Sequence, residues 1–98
     1  MPKAYWITTY RSISNPDAVA AYAKIAGPAL AAQGGRFIAR GMPTKTMEQG
    51  LMQRTVIIEF PSAEAATSAY ASASYKEALD ALGTNSCERD IRVIEAVE

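Results

Sequence analysis

The chain predicts an α+β domain with the order β-α-β-β-α-β: a four-stranded antiparallel sheet carrying helices on one face. Three observations predict it. Gly34-Gly35 stops a helix, Arg36-Phe37-Ile38-Ala39-Arg40 follows as a short strand, and Gly41 ends that strand. Val56-Ile57-Ile58-Glu59-Phe60 makes another strand, which Pro61 closes and Ser62 converts into a helix start. Right-handed crossovers then place the helices on the same side of the sheet.

The first strand spans Ala4 to Arg11, rich in aromatic and β-branched residues. Trp6, Thr8 and Tyr10 point one way; Tyr5, Ile7 and Thr9 point the other. A helix starts at Ser14-Asn15-Pro16-Asp17: Asn15 caps, Pro16 suits the first helical position, and Asp17 complements the dipole. Val19, Tyr22, Ala23, Ala26, Ala29 and Leu30 form its apolar face. Gly27-Pro28 predicts a kink or a restart, because Pro28 removes a hydrogen bond and crowds the preceding turn. Gly34 ends the helix in a left-handed conformation.

Arg36 to Gly41 is the second strand, Met42 to Leu51 a hairpin loop, and Met52 to Phe60 the third strand. The unbroken apolar run Val56-Ile57-Ile58 belongs to a strand covered on both faces. Ser62 caps the next helix, with Ala66, Ala69, Tyr70 and Ala73 as its stripe. Ser74-Tyr75-Lys76-Glu77 has capping-box spacing and predicts a second start. Asp90 to Val97 alternates into the last strand, with Ile91, Val93 and Glu95 on one side. Large apolar groups on both faces of the first and third strands predict that the open face is paired. A two-fold homodimer needs only one sequence to do so.

Residues 1–98 suffice for one domain with a single core. A composition of 49% hydrophobic and 20% charged residues is that of a globular chain, not a disordered one. Ten basic and ten acidic side chains cancel, leaving no field to hold nucleic acid or an anionic membrane, so neither is an expected partner. Cys87 stands alone and forms no internal disulfide, which reads as an unreactive thiol in a cytosolic protein. The absence of histidine excludes His-based triads and His-ligated metals, and the acids lack EF-hand spacing, so no metal is expected. The N-terminus lacks a signal-peptide run and no stretch approaches a membrane span, so a cytoplasmic location is expected.

Arg40 and Glu59 are ionisable groups on strands expected to be buried. They admit two readings. One is a structural ion pair across adjacent strands. The other is a charged pocket wall, with Arg40 binding a carboxylate or enolate and Glu59 raised into the range of a useful base. Trp6, Tyr22, Tyr70 and Tyr75 face other elements, as core residues or as the wall of a wet pocket where buried hydroxyls find partners. Gly34-Gly35 lies at a helix C-terminus, where the dipole repels phosphate. Ser12, Ser14 and Ser62 serve turns and caps, since no base is spaced to activate them.

Ala4-Tyr5-Trp6, the Gly34–Gly41 and Val56–Ser62 segments, Ser74-x-x-x-Ala78 and Val93-Ile94-Glu95-Ala96-Val97 together resemble the bacterial family called domain of unknown function 1330. Ala96 stands where that family usually has glycine. The resemblance covers nearly the whole chain. It implies a ferredoxin-like fold of the dimeric α+β barrel type, with two sheets face to face and helices outside. Relatives by fold include cofactor-free monooxygenases, isomerases, haem-degrading enzymes and stress-responsive barrel proteins. Haem-binding relatives rely on a histidine that this chain lacks, so no cofactor is expected. The family carries no established catalytic residues, and fold does not fix function.

Three functional expectations follow. The first is a homodimer binding a small carboxylate-bearing or aromatic metabolite between sheet and helices, in a pocket lined by Trp6, Tyr22, Arg40, Glu59 and Tyr75. The second is a cofactor-free enzyme performing proton transfer or oxygenation, with Arg40 stabilising negative charge and Glu59 moving the proton. The third is a non-catalytic dimeric assembly module in which Arg40 and Glu59 only satisfy each other.

Overall fold

The computed structural model describes residues 2–97. The elements run β1 (Ala4–Ile13), α1 (Pro16–Ala32), β2 (Arg36–Gly41), β3 (Thr55–Phe60), α2 (Ala63–Tyr70), α3 (Ala73–Leu82) and β4 (Cys87–Glu95). The four strands form one antiparallel sheet in the order β2-β3-β1-β4. All three helices cover one face, so the fold is α+β with two layers. Its Cα extents of 38 × 35 × 16 Å leave no thickness for a third layer.

Burial along β1 alternates strictly from Ala4 to Tyr10, as a strand with one covered face requires. Trp6 opposes Ile58 on β3 and Val93 on β4; Tyr10 opposes Arg89. The even-numbered face of β1 and β3 meets the helices. Trp6, Ile58 and Phe60 are fully buried there against Leu30 of α1 and Tyr75 of α3. The aromatic packing is dense: the Trp6 ring lies 5.3 Å from Tyr75 edge-on and 6.0 Å from Phe60.

The helix starts follow their caps. The Asn15 side chain accepts from the Ala18 amide, and Ser62 accepts from the Ala65 amide. Three expectations are corrected. First, of the kink or restart expected at Gly27-Pro28, the restart does not occur: α1 is one helix from Pro16 to Ala32 with Pro28 inside it. The missing bond is the one the Lys24 carbonyl would have received, and Lys24 is an exposed residue. Second, α3 is capped by Ser72, which accepts from the Tyr75 amide at 3.3 Å, and Ser74 already lies inside the helix. Third, β3 begins at Thr55 and β4 at Cys87. Gly41 pairs with Thr55 and ends the β2 ladder, leaving Met52 without a partner strand; Ile13 pairs with Cys87 and extends β4 backwards.

Gly34 takes φ 96°, the left-handed turn that ends α1. Gly35 serves a different purpose. A Cβ there would lie 2.9 Å from both the Leu30 carbonyl oxygen and the Phe60 ring, so its hydrogen is what lets β2 leave α1 so tightly. Among the described residues no helix is long and apolar enough to cross a membrane.

Candidate ligand-binding site

The site grows out of the helix-facing side of the sheet. Alternation along β1 aims Trp6, Thr8 and Tyr10 at the helices. The helical stripes bring Tyr22 from α1 and Tyr75 from α3 over them. Arg89 reaches in from β4 directly opposite Tyr10. The Tyr22 and Tyr75 hydroxyls are 2.7 Å apart. Arg89 donates through Nη1 to the Tyr10 hydroxyl at 3.2 Å and through Nη2 to the Tyr75 hydroxyl at 3.4 Å. Its guanidinium also lies over the Tyr22 ring, 4.5 Å from the centroid. Beside them the Trp6 indole donates to Thr8 Oγ1 at 2.8 Å.

No carboxylate pairs with Arg89 among the described residues. Burial works against its charge, but the phenols of Tyr22, Tyr75 and Tyr10 outweigh that and hold it charged above the ordinary arginine range. Burial, reinforced by Tyr22, pushes the Tyr75 hydroxyl well above the ordinary phenol range and outweighs Arg89. Burial likewise raises Tyr10 against the pull of Arg89. The unfolded chain releases the Tyr75 proton near pH 10.0 while the folded chain keeps it. The stability from this site is therefore complete below that pH and is lost as pH rises toward the folded value. The urea midpoint is expected to fall as pH is raised past 10.0, and to fall less steeply in Tyr75→Phe.

Two spaces adjoin the cluster and share Trp6 and Arg89 as walls. An inner cavity of about 30 Å³, bordered also by Thr8, Tyr10, Tyr22 and Arg40, has room for a single water. An outer cleft of about 440 Å³ opens between α2 and β4, with Thr67, Tyr70, Ile91 and Val93 as its remaining walls. The cleft is of ligand size, largely apolar, with one cation at its foot.

The structure brings Trp6, Tyr22 and Tyr75 into one cluster and places Arg40 at its margin. It does not bring Glu59 there. Glu59 lies on the opposite face of the sheet, 3.8 Å from Lys3 Nζ and 3.7 Å from Arg36 Nη2. A register shift between Phe37 and Ala39 sets Arg40 opposite Val56, a helix-facing residue. Arg40 is exposed and stacks on the Phe37 ring at 4.8 Å. Arg40 and Glu59 therefore face opposite sides, which corrects both the ion-pair and the shared-pocket readings. Both partners of Glu59 are exposed, so Glu59→Gln is expected to cost less than about 1 kcal/mol in urea denaturation. Arg89 and Tyr10 are the functional candidates that the sequence reading missed. Continuing the alternation of Ile91 and Val93 back by two residues would have put Arg89 on the helix-facing side.

A family model described as "Domain of unknown function (DUF1330)" matches residues 3–97. The chain belongs to that family. No curated protein matches this DUF1330 chain. Solved structures do. A protein of unknown function from Rhodopseudomonas palustris is similar at TM-score 0.75 and 16% identity, over 99% of this chain and 84% of that one. SnoaB, a cofactor-independent oxygenase from Streptomyces nogalater, is similar at TM-score 0.69 and 13% identity, over 100% and 96%. A dimeric ferredoxin-like protein of unknown function from Thermobifida fusca is similar at TM-score 0.67 and 14% identity, over 97% and 92%. At these identities the likeness is one of fold, and the DUF1330 chain has the ferredoxin-like α+β fold.

Proposed function

We propose that the protein is a homodimer that binds a small aromatic or carboxylate-bearing metabolite between its sheet and its helices. The observation that carries the binding reading is Arg89. It is a half-buried cation without a carboxylate partner among the described residues, at the foot of a cleft walled by Trp6 and Tyr70. A charge held in that way is a standing receptor for an anionic or π-rich ligand. The dimer reading draws on the open sheet face, where Tyr5, Ile7 and Ile57 are only partly covered and Ile94 is 57% exposed. The Thermobifida fusca neighbour is described as dimeric, and two such faces pack by a two-fold axis as one barrel.

The likeness to SnoaB favours a second reading, chemistry without a cofactor. It would use the Arg89–tyrosine cluster, because Glu59 and Arg40 do not share a face. Native mass spectrometry on freshly purified protein tests both parts of the proposal. The expected spectrum is a dimer carrying a reproducible extra mass that Arg89→Gln no longer retains. A clean dimer would leave a non-catalytic assembly module as the better description, and a monomer would overturn the paired-sheet argument.

A further inference from the structure

We infer that the protein has a second binding site, for a phosphate group, at the rim of the inner cavity that Arg40, Arg54 and Arg89 border together. This site does not rest on the reading of the outer cleft, with which it shares only Trp6 and Arg89 as walls.

The first argument is where the paired and the unpaired cations lie. The chain has six arginines. Arg11 and Arg92 pair with Asp90, and Arg36 pairs with Glu59, on the open side of the sheet. The other three, Arg40, Arg54 and Arg89, have no carboxylate partner among the described residues, and all three border the inner cavity. No acidic side chain borders it among the described residues. β2, β4 and the entry to β3 supply the three. Arg89 lies opposite Tyr10, and the Tyr10 amide donates to the Arg54 carbonyl at 3.1 Å, so Arg54 and Arg89 flank one tyrosine. The register shift in β2 turns Arg40 to the same side, opposite Val56. Two of the guanidinium groups are held by rings rather than by acids: Arg40 over Phe37 at 4.8 Å and Arg89 over Tyr22 at 4.5 Å. A ring fixes a cation in place and leaves its charge in full.

The second argument is electrostatic. Much of the remaining wall is apolar, with Ala26 and Leu30 from α1 and Phe37, Val56 and Ile58 from the sheet. Charges of one sign on low-dielectric walls concentrate their field in the space between them. Three guanidinium charges at one space attract a dianion more strongly than a monoanion, and guanidinium donors match the oxygens of a phosphate. The third argument is the room available. The cavity of about 30 Å³ admits one oxygen and not a whole phosphate. Arg40 is exposed and Arg54 half-buried, so both stand at the mouth. Arg89 lies deeper, bonded to the buried Tyr10 and Tyr75. One phosphate oxygen enters toward Arg89, and the others stay at the rim with Arg40 and Arg54.

The test is equilibrium dialysis of the full chain against phenyl phosphate, with inorganic phosphate and chloride as competitors at constant ionic strength. Chloride is expected to need at least about tenfold the concentration of inorganic phosphate to displace the probe. Phenyl phosphate should bind about tenfold more weakly at about pH 5 than at about pH 8, because its second charge is lost at about pH 6. The arginines and phenols that border the cavity do not titrate in that range and the chain has no histidine, so the change belongs to the probe. Arg54→Gln should weaken binding at least about tenfold, and Arg54→Lys should recover part of that loss. Arg92→Gln, which removes a charge from the open side of the sheet, should leave affinity within about twofold. If phenyl phosphate outbinds inorganic phosphate, the group belongs to an organic metabolite; if inorganic phosphate binds more tightly, the site is one for free phosphate. Either order upholds the inference. Should Arg54→Gln fail to fold, the competition and the pH profile of the wild type decide. Displacement by chloride as readily as by phosphate, an affinity independent of pH, or an unchanged affinity in Arg54→Gln overturns the inference. So does an absence of binding, and a retained mass in the native spectrum would then leave the outer-cleft reading standing.

Discussion

Replacing Trp6 with alanine is expected to destabilise the fold by about 3–5 kcal/mol. Trp6 is 1% exposed and sits where β1, α2 and α3 converge, with Phe60, Tyr70 and Tyr75 around its ring. The rings of Tyr70 and Tyr75 also touch each other, so they are braced and fill a void only in part. The indole is additionally the donor to Thr8, whose oxygen would be left buried without it. Urea denaturation followed by far-ultraviolet circular dichroism is the right measurement, because Trp6 is the chain's one tryptophan and the variant loses its fluorescence. A loss below about 1 kcal/mol would mean that the helices close over the gap, contrary to the packing described.

The second large effect lies at a residue with no side chain. Gly35→Ala is expected to cost at least about 2 kcal/mol, at the upper end of what one added methyl does in a packed interior. Its new carbon would overlap the Leu30 carbonyl oxygen and the Phe60 ring at 2.9 Å, and Ile58 at 3.0 Å. Relief is difficult. The Gly35 amide donates to that same Leu30 oxygen at 2.9 Å, and Phe60 and Ile58 are themselves fully buried. Gly27→Ala is the matched control. It lies within α1 with nothing inside 4 Å of its would-be Cβ, so the same change there is expected to stabilise by about 0.4–1 kcal/mol. Thermal unfolding of the pair should move in opposite directions; equal shifts would sink the steric account.

Much of the fold is legible in the chain because it is written in local chemistry. Asn15, Ser62 and Gly34 mark helix ends by their own backbone and side-chain preferences, and alternation in β1 names the faces of the sheet. What the sequence did not disclose is long-range. The register shift in β2 turns Arg40 to the helix side, and no residue type there signals it. Simple alternation across a hairpin was therefore a poor guide to whether Arg40 and Glu59 meet. Arg89 escaped notice because polar residues from Gly83 to Glu88 read as a continuing loop. Its strand membership comes from pairing with β1, nearly the whole chain away. Trp6, Tyr22 and Tyr75 were visible as large groups on core faces, but only tertiary packing brings the hydroxyls of Tyr22 and Tyr75 within 2.7 Å.

The central place of β1 also bears on how the protein is made. Its two neighbours are β3 and β4, and Ala4 pairs with Glu95 across the length of the chain. The closure that completes the sheet thus joins the elements most distant in sequence, which slows folding relative to a fold built from local hairpins. While the chain emerges from a ribosome, β1 has β3 to pair with but keeps one edge bare until residues 87–95 are free. During that interval an adhesive strand edge and the half-built Trp6 cluster are exposed together. The interval before β4 docks is when a nascent chain is most open to chaperones and to its own copies.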